Sequence, residues 1–548
     1  MATIDAPTGT GTRIGGDVVI ESLRALGADT CFGIPGQHAL GLFEALRRSG
    51  LRYVGLRTEL TAGFAADGYA RVSGRPAPLL LSTGPGALIS LAALMEADGA
   101  SVPVVAISSH IPSDGIGRRR GHLHELRDQI GSFRRVVKHA VTVPSAVAIP
   151  GLLEEAWRVA STPPTGPVFL EIPQDVLLGA TDVHAVDALD GRPADAAPRA
   201  AVLEAAGELL AGAERPAILA GGGVVRGSAW HELLALAERL RAPVAETFGG
   251  RGAFPDDHPL ACGSFLEDAH VMDLLADADA LLCVGTGIGE LSSNYFTFRP
   301  RGRLVHVDAD PEKVGVNHPA LGVVGDARTA LAELGERVPE RPVDGAAEAR
   351  VATLRDALEA RLAPQGRDRE RGLLRTIRGA LPEDAAVAWD MTILGYWAWN
   401  TFPAGAPRRF LSAQASGTLG YAWPAAIGAK AALGDTPVLA VVGDGGSLYG
   451  LQELASARQS GLAAKLLIID DGGYGILREY QREAFGATFG VDLMQPDFAA
   501  VCRGFGVPVH ESAPERLGED LAWALEVDGP AVVVLPTTLE MFAPTHLP

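Results

Sequence analysis

The chain is poor in cysteine, short of positive charge and without long apolar runs. Its 548 residues include four cysteines, Cys31, Cys262, Cys283 and Cys502. None stands in a CxxC pair, so neither a disulfide framework nor a cysteine metal site is expected. No apolar run approaches the roughly 18–20 residues that cross a bilayer, so no membrane partner is expected. Met1–Arg13 is small and polar with no apolar core, so no secretory signal is expected and a soluble, cytoplasmic protein is the default. Lys and Arg number 47 against 66 Asp and Glu, a net charge of −19, which argues against nucleic acid and anionic membrane surfaces as partners. Short-period repeats and low-complexity tracts are also missing, which removes solenoid architectures.

What is present is globular sequence punctuated by turns. The 66 Gly and 37 Pro fall between apolar runs, and 47% of the residues are hydrophobic, the composition of a chain that folds. At about 100–200 residues per domain the length predicts three domains. The first alternates strands and helices: Thr30–Phe32 before Gly33–Gly36, a helix from Ala39 to Arg48, then strands at Ala77–Ser82, Val104–Ser108 and Pro167–Ile172. Residues 186–200 read as a linker. A second α/β unit starts near Pro216–Gly221 and runs through Ala280–Val284 to Leu304–Val307. Residues 338–350 read as another linker and Arg350–Leu362 as a helix. A third α/β region starts near Ala386 with strands at Val438–Val442 and Lys465–Ile469. The boundaries expected are 1–185, 200–340 and 365–548. The fold class is α/β, three doubly wound parallel sheets with ligand-type loops at strand C-termini.

The strongest local signal is Val438–Val442 running into Gly443–Asp444–Gly445–Gly446, with a helical stretch at Leu451–Arg458. Small residues let backbone N–H groups approach a phosphate, and Asp444 offers a hard oxygen to a divalent cation. A second strand ends in Asp470–Asp471–Gly472–Gly473–Tyr474–Gly475, placing Asp471 27 residues after Asp444. Two neighbouring parallel strands separated by one helix bring both loops to one edge, where two carboxylates and a glycine carbonyl suit Mg2+.

This pattern resembles the cofactor motif of thiamine-diphosphate enzymes. Phe32–Gly33–Ile34–Pro35–Gly36 resembles the family's FGxPG turn. Arg57–Thr58–Glu59–Leu60, followed by Ala62–Arg71, resembles its catalytic-glutamate helix, and Ser82–Thr83–Gly84–Pro85–Gly86 its TGPG turn. Ser416–Gly420 with Pro424–Gly428 resembles the stretch that holds the cofactor's bent shape. The motifs run in order over nearly the whole chain, and the group most similar is acetolactate-synthase-like, which includes 2-oxo-acid decarboxylases and carboligases.

The resemblance implies thiamine diphosphate and Mg2+ as cofactors. It implies that Glu59 bonds the aminopyrimidine ring nitrogen, that Leu419 props the cofactor, and that Asp444, Asp471 and the Gly473 carbonyl hold the metal. It implies further cofactor contacts at Thr83, Gly84, Thr392, Gly417, Gly443, Gly445, Gly446, Tyr474, Gly475 and Ile476. Asp470 stands where relatives usually carry Asn, so a tighter or more pH-sensitive Mg2+ dependence is expected. His38 stands where carboligases such as benzaldehyde lyase place a histidine, and His124 where the family's Gln lines the site, so both are catalytic candidates. His124 lies in a loop rich in Arg118, Arg119, Arg120, His122, Glu125 and Asp128, which a solvated charged face explains equally well. Gly221–Gly223 alone is a weak sign of a dinucleotide. The family's middle domain binds nothing or a relic FAD, so FAD is a minor expectation.

Departures narrow the function. The segment matching the acetolactate synthases' acceptor-holding arginine, Gly285–Leu291, has no Arg. Their tryptophan is Tyr480 here, and the glutamate of pyruvate-decarboxylase-type enzymes is Leu477. The function expected is decarboxylation of a 2-oxo acid with transfer of the acyl-anion equivalent to a carbonyl acceptor. The alternatives are simple decarboxylation to an aldehyde, for example of a guanidino 2-oxo acid whose cation Glu125 or Asp128 would pair, and, less favoured, an FAD-dependent pyruvate-oxidase type. The partners implied are the small-molecule 2-oxo acid, a carbonyl acceptor, and further copies of the chain in a homodimer or homotetramer with the active site at the subunit interface.

Overall fold

A computed structural model describes residues 12–194 and 196–547. Residues 1–11, which bear most of the expectation of no secretory signal, lie outside the described residues, as does Asp195 within the expected 186–200 linker.

Three six-stranded sheets are formed, and every strand pairing within them is parallel. The first contains β1 (Thr30–Gly33), β2 (Arg52–Gly55), β3 (Ala77–Leu81), β4 (Val104–His110), β5 (His139–Thr142) and β6 (Val168–Pro173), in the order β2-β1-β3-β4-β6-β5. The second contains β7 (Pro216–Ala220), β8 (Val244–Glu246), β9 (Ala261–Gly263), β10 (Ala280–Val284), β11 (Arg303–Asp308) and β12 (Leu321–Val324), in the order β12-β11-β10-β7-β8-β9. The third contains β13 (Ala386–Trp389), β14 (Phe410–Ser412), β15 (Val438–Gly443), β16 (Lys465–Asp470), β17 (Val509–Glu511) and β18 (Ala531–Pro536), in the order β14-β13-β15-β16-β18-β17. The central strands are buried at almost every position, as expected where helices cover both faces of a parallel sheet. The α/β fold class read from the sequence is the one observed.

The first and third sheets share one strand order, so each reverses direction between its first and third strands. Those switch points, at β1/β3 and β13/β15, are where open parallel sheets leave a crevice for ligands. The middle sheet reverses between β7 and β10. There Gly221–Gly223 faces Gly285: the Gly223 N–H donates to the Gly285 carbonyl at 2.9 Å, and a Cβ on Gly223 would stand 2.5 Å from the Gly285 Cα. These glycines let two backbone loops touch.

One expectation shifts. The helix read as Arg350–Leu362 starts at Ala346, which shortens the 338–350 linker by its last five residues. Ala346, Ala347, Glu348 and Ala349 are strong helix formers, and Ala347 is buried. Composition had grouped them with the Pro- and Glu-rich stretch before them.

The chain forms two compact units. One holds the first sheet with residues 415–435 and 450–464; the other holds the second and third sheets.

Candidate active site

In the first unit, Glu59 opens the helix Glu59–Ser73. Extended Thr58 caps it, its hydroxyl accepting the Thr61 N–H at 3.2 Å, and Gly74, at φ +69°, ends it in the left-handed region. A helix N-terminus favours the Glu59 anion, yet burial pushes the carboxyl above its ordinary value. Glu59 Oε1 stands 3.0 Å from where a Cβ on Gly86 would lie, and the same Cβ would lie 3.3 Å from Ser82 Cβ. A Cβ on Gly36 would collide with Ser82 Oγ. The turn after β3 therefore closes on Glu59 at Gly86 and on the turn after β1 at Ser82, and glycine at 36 and 86 allows both approaches.

His38 follows in the short 3-10 turn Gln37–Ala39 and is buried. Its ring meets that of His124 edge-on, centroids 5.4 Å apart. Burial, and then the neighbouring His124 and His122, push the His38 imidazole below its ordinary value, so it is neutral at pH 7. The Nδ1 atoms of His38 and His124 are both buried without a hydrogen-bond partner. His124 has φ +64°, and its carbonyl oxygen lies where a Cβ on Gly84 would stand. The Gly84 N–H donates to Gln129 Oε1 at 2.8 Å; Gln129 Nε2 donates to the Ser109 carbonyl and to Glu171 Oε2, each at 3.2 Å. Thr83 Oγ1 shares a 2.9 Å hydrogen bond with Ser109 Oγ. Glu125 accepts the Gly121 and His122 N–H groups, and Asp128 caps the helix Gln129–Phe133. Both acids expected to pair a substrate cation are thus engaged by backbone.

Leu419 is half-buried rather than a core residue, in a loop with Gly417 at φ +66°. The loop is held by buried Glu96, which accepts the Ser416 N–H and hydroxyl, both at 2.8 Å, and pairs with Arg71 at 2.9 Å. The helix that follows, Ala422–Leu433, crosses the Glu59 helix backbone to backbone. A Cβ on Gly68 would strike the Ala425 carbonyl, and one on Gly428 the Ala65 carbonyl.

In the second unit, β15 ends at Gly443 and Asp444–Ser447 starts a helical turn at once. Thr392, at the N-cap of the helix Ile393–Thr401, lies 3.5 Å from a Cβ built on Gly443; Asp390 Oδ1 lies 3.3 Å from one on Gly446. Gly475 abuts the Asp471 carboxylate, and the Tyr474 ring lies 2.6 Å from a Cβ on Gly445. A Cβ on Gly473 would collide with the Val491 carbonyl, to which the Tyr474 N–H donates at 2.8 Å. Ile476 is buried at the start of the helix Gly475–Phe485. Asp444 Oδ2 and Asp471 Oδ1 are buried without hydrogen-bond partners. Burial, with the neighbouring Asp471 charge, pushes Asp444 up to about 6, and burial raises Asp471 as well. Among the described residues no three His, Cys, Asp or Glu side chains are placed to hold a metal. Two unpartnered carboxylate oxygens beside a glycine-lined turn fit a hard divalent cation whose other ligands are backbone, diphosphate and water oxygens.

Glu59, His38, His124, Thr83, Gly84, Gly417 and Leu419 belong to the first unit; Thr392, Asp444, Asp471 and their glycine turns belong to the second. The sequence reading missed Glu453, Gln129, Glu96 and Asp390. Asp390 had a local signal: an aspartate closes β13 as Asp444 and Asp470 close the ends of β15 and β16. The other three act across long stretches of sequence and gave none.

Comparison with known proteins agrees with this geometry. The family model "Thiamine pyrophosphate enzyme, N-terminal TPP binding domain" matches residues 13–132, the "central domain" residues 203–334, and the "C-terminal TPP binding domain" residues 390–535. A protein of Pseudomonas aeruginosa named "Probable 2-ketoarginine decarboxylase" is 38% identical over 93% of this chain and 90% of its own. The acetolactate synthase large subunits of Corynebacterium glutamicum and Parasynechococcus marenigrum are 31% and 30% identical, each over 95% of this chain and over 86% and 87% of their own. With its sheet switch points, its glycine turns and these matches in one order along the sequence, the chain belongs to the thiamine pyrophosphate enzyme family.

Proposed function

We propose that the protein is a thiamine-diphosphate- and Mg2+-dependent enzyme that decarboxylates a 2-oxo acid and passes the acyl unit to a carbonyl acceptor. The observation that carries this reading is the Glu59 carboxyl at its helix N-terminus, against the Gly86 turn where only glycine leaves it space, and held above its ordinary value. Thiamine diphosphate, when bound, supplies the electron sink that lets carbon dioxide leave. Glu59 holds or releases the proton at the aminopyrimidine nitrogen. Leu419, half-exposed on its loop, props the cofactor. Asp444, Asp471 and the Gly473 carbonyl hold Mg2+. Thr83, Gly84, Thr392, Gly417, Gly443, Gly445, Gly446, Tyr474, Gly475 and Ile476 line the cofactor. His38 and His124 turn ring nitrogens toward the substrate oxygen that gains charge; the unpartnered Nδ1 atoms support this.

The working enzyme is a homodimer or homotetramer, with Glu59 of one subunit and Asp444 of another flanking one cofactor, and it acts in the cytoplasm. Its three domains are 1–185, 200–340 and 365–548. A second reading, release of a free aldehyde, is favoured by the name of the 38% identical relative, a 2-ketoarginine decarboxylase.

The test is carbon dioxide release from a panel of 2-oxo acids with thiamine diphosphate and Mg2+, beside a Glu59→Gln control. Release that disappears in the control is expected. A hydroxyketone product supports transfer and an aldehyde supports simple decarboxylation; no release from any acid overturns both.

A further inference from the structure

Glu267 is an acid the reaction above does not use. It lies in the second unit and is 4% exposed. Tyr295 Oη donates to its Oε1 at 2.7 Å and Asn400 Nδ2 to its Oε2 at 3.0 Å. Each carboxylate oxygen can accept more. Asn400, also 4% exposed, has its Oδ1 buried with no donor. The Asn400 amide thus gives its N–H to Glu267 while its own buried oxygen lacks a donor, and a buried acceptor left unmade is costly.

Besides Tyr295, two further tyrosines stand close enough to feel Glu267. Tyr396 and Tyr480 both lie within the field of the Glu267 charge; burial and then Glu267 push Tyr480 up to about 12. Tyr480 and Tyr295 remain 45% and 39% exposed, so the rings reach from a buried carboxylate to solvent. Asn294, Tyr295 and Phe296 are three successive non-glycine residues in the left-handed region, at φ +51°, +58° and +60°. This costly backbone run holds the Tyr295 hydroxyl on Glu267.

Tyr396, Asn400 and Tyr480 stand on the helices that leave the glycine turns of the third sheet, while Glu267 and Tyr295 come from loops of the middle region. Thr392 caps the helix bearing Tyr396 and Asn400, about 6 and 12 Å further along its axis. Tyr480 is on the helix that starts at Gly475, against Asp471. The cluster therefore lies one to two helical turns beyond the Thr392 and Gly475 turns, where the far end of a long substrate would lie.

We propose that Glu267, Asn400, Tyr295, Tyr396 and Tyr480 form the subsite for a guanidinium at the end of the 2-oxo acid. The inference rests on the 2-oxo-acid reading and names its substrate class. A guanidinium supplies planar donors for the Glu267 and Asn400 oxygens and stacks on tyrosine faces. An ammonium matches the charge but not the plane.

The experiment is calorimetric binding, together with carbon dioxide release, for three 2-oxo acids of equal chain length ending in guanidino, amino or methyl groups. The expected preference is guanidino over amino over methyl. Glu267→Gln keeps the shape and should cut the guanidino-to-methyl affinity ratio about 10–100-fold. Tyr480→Leu changes a part-exposed side chain and keeps the test open should the buried variant misfold; it should lower the same ratio several-fold. A wild-type protein that prefers the methyl acid, or variants that weaken all three acids equally, would overturn the subsite. Guanidino-selective binding without carbon dioxide release would overturn the decarboxylase reading and support the subsite.

Discussion

The Glu453 carboxylate accepts the Arg57 backbone N–H on both oxygens, at 3.0 and 3.2 Å, two residues before Glu59. It also accepts the Thr61 hydroxyl at 2.7 Å, two residues after Glu59, and the Ser456 hydroxyl at 2.6 Å. Glu453 is fully buried, and burial raises its carboxyl. One side chain thus fixes the backbone on both sides of the proposed proton-handling acid.

Glu453→Leu should orphan the Arg57 N–H and the Ser456 hydroxyl, leaving the Thr61 hydroxyl only its Thr58 partner, at about 1–3 kcal/mol for each unsatisfied group. The expected result is a lower Tm and a kcat that falls more than KM changes, since Glu59 loses its aim. Glu453→Gln, which can still accept from Arg57, should recover part of both. A Leu variant with wild-type kcat would show that the Arg57 turn holds Glu59 without this carboxylate.

Glu59→Gln should abolish carbon dioxide release while leaving the protein folded. Its stability should also respond differently to pH. Burial raises the Glu59 carboxyl above 4.5 in the folded protein. The folded state then keeps a proton that the unfolded chain has lost, so this contribution is whole below 4.5 and falls as pH rises toward the folded value. Glutamine does not titrate. The Tm of Glu59→Gln, relative to wild type, should therefore be higher at pH 8 than at pH 4. A Tm difference independent of pH would mean that the carboxyl is not shifted.

The turns that build the candidate site were legible because they are local. Gly443–Gly446 and Asp470–Gly475 each follow an apolar strand directly, and parallel pairing of β15 with β16 brings both to one edge. The two sheets sharing a strand order explain why ligand-type turns recur at both ends of the chain. Glu453 and Glu96 were opaque because their partners lie 396 and 320 residues away. Nothing in a sequence window shows that a helical Glu will meet a distant amide. Glu125 and Asp128 drew attention as loop acids near His124, yet both cap local backbone, while Glu267 lies in the middle region among no recognisable motif, beside Asp268.

Asp444→Asn and Asp471→Asn should each weaken Mg2+ binding in the presence of thiamine diphosphate. A charge-assisted contact of about 1.5–3 kcal/mol corresponds to about 10–100-fold in affinity. Without metal the two variants should instead be more stable than wild type, because each removes a buried charge facing another acid. Titration calorimetry with Mg2+ and metal-free thermal unfolding read the two effects separately. Unchanged affinity in Asp471→Asn would remove that residue from the metal site.

Gly428→Ala and Gly68→Ala should be among the most damaging small substitutions in the first unit. Their Cβ atoms would enter the Ala65 and Ala425 carbonyls, which are backbone and cannot rotate away. Overpacking commonly costs about 1–3 kcal/mol, and here two helix axes must separate. The helix that would move carries Glu59 at one end, and the other follows the Leu419 loop, so activity should fall even where the protein stays soluble. Gly151→Ala is the control: it sits in the helix Ile149–Ser161, with nothing within 4 Å of a new Cβ. Alanine there should raise stability by about 0.4–1 kcal/mol through the unfolded chain. Equal Tm changes in Gly428→Ala and Gly151→Ala would show that the crossing has slack and that glycine at 428 does not set how near the two helices lie.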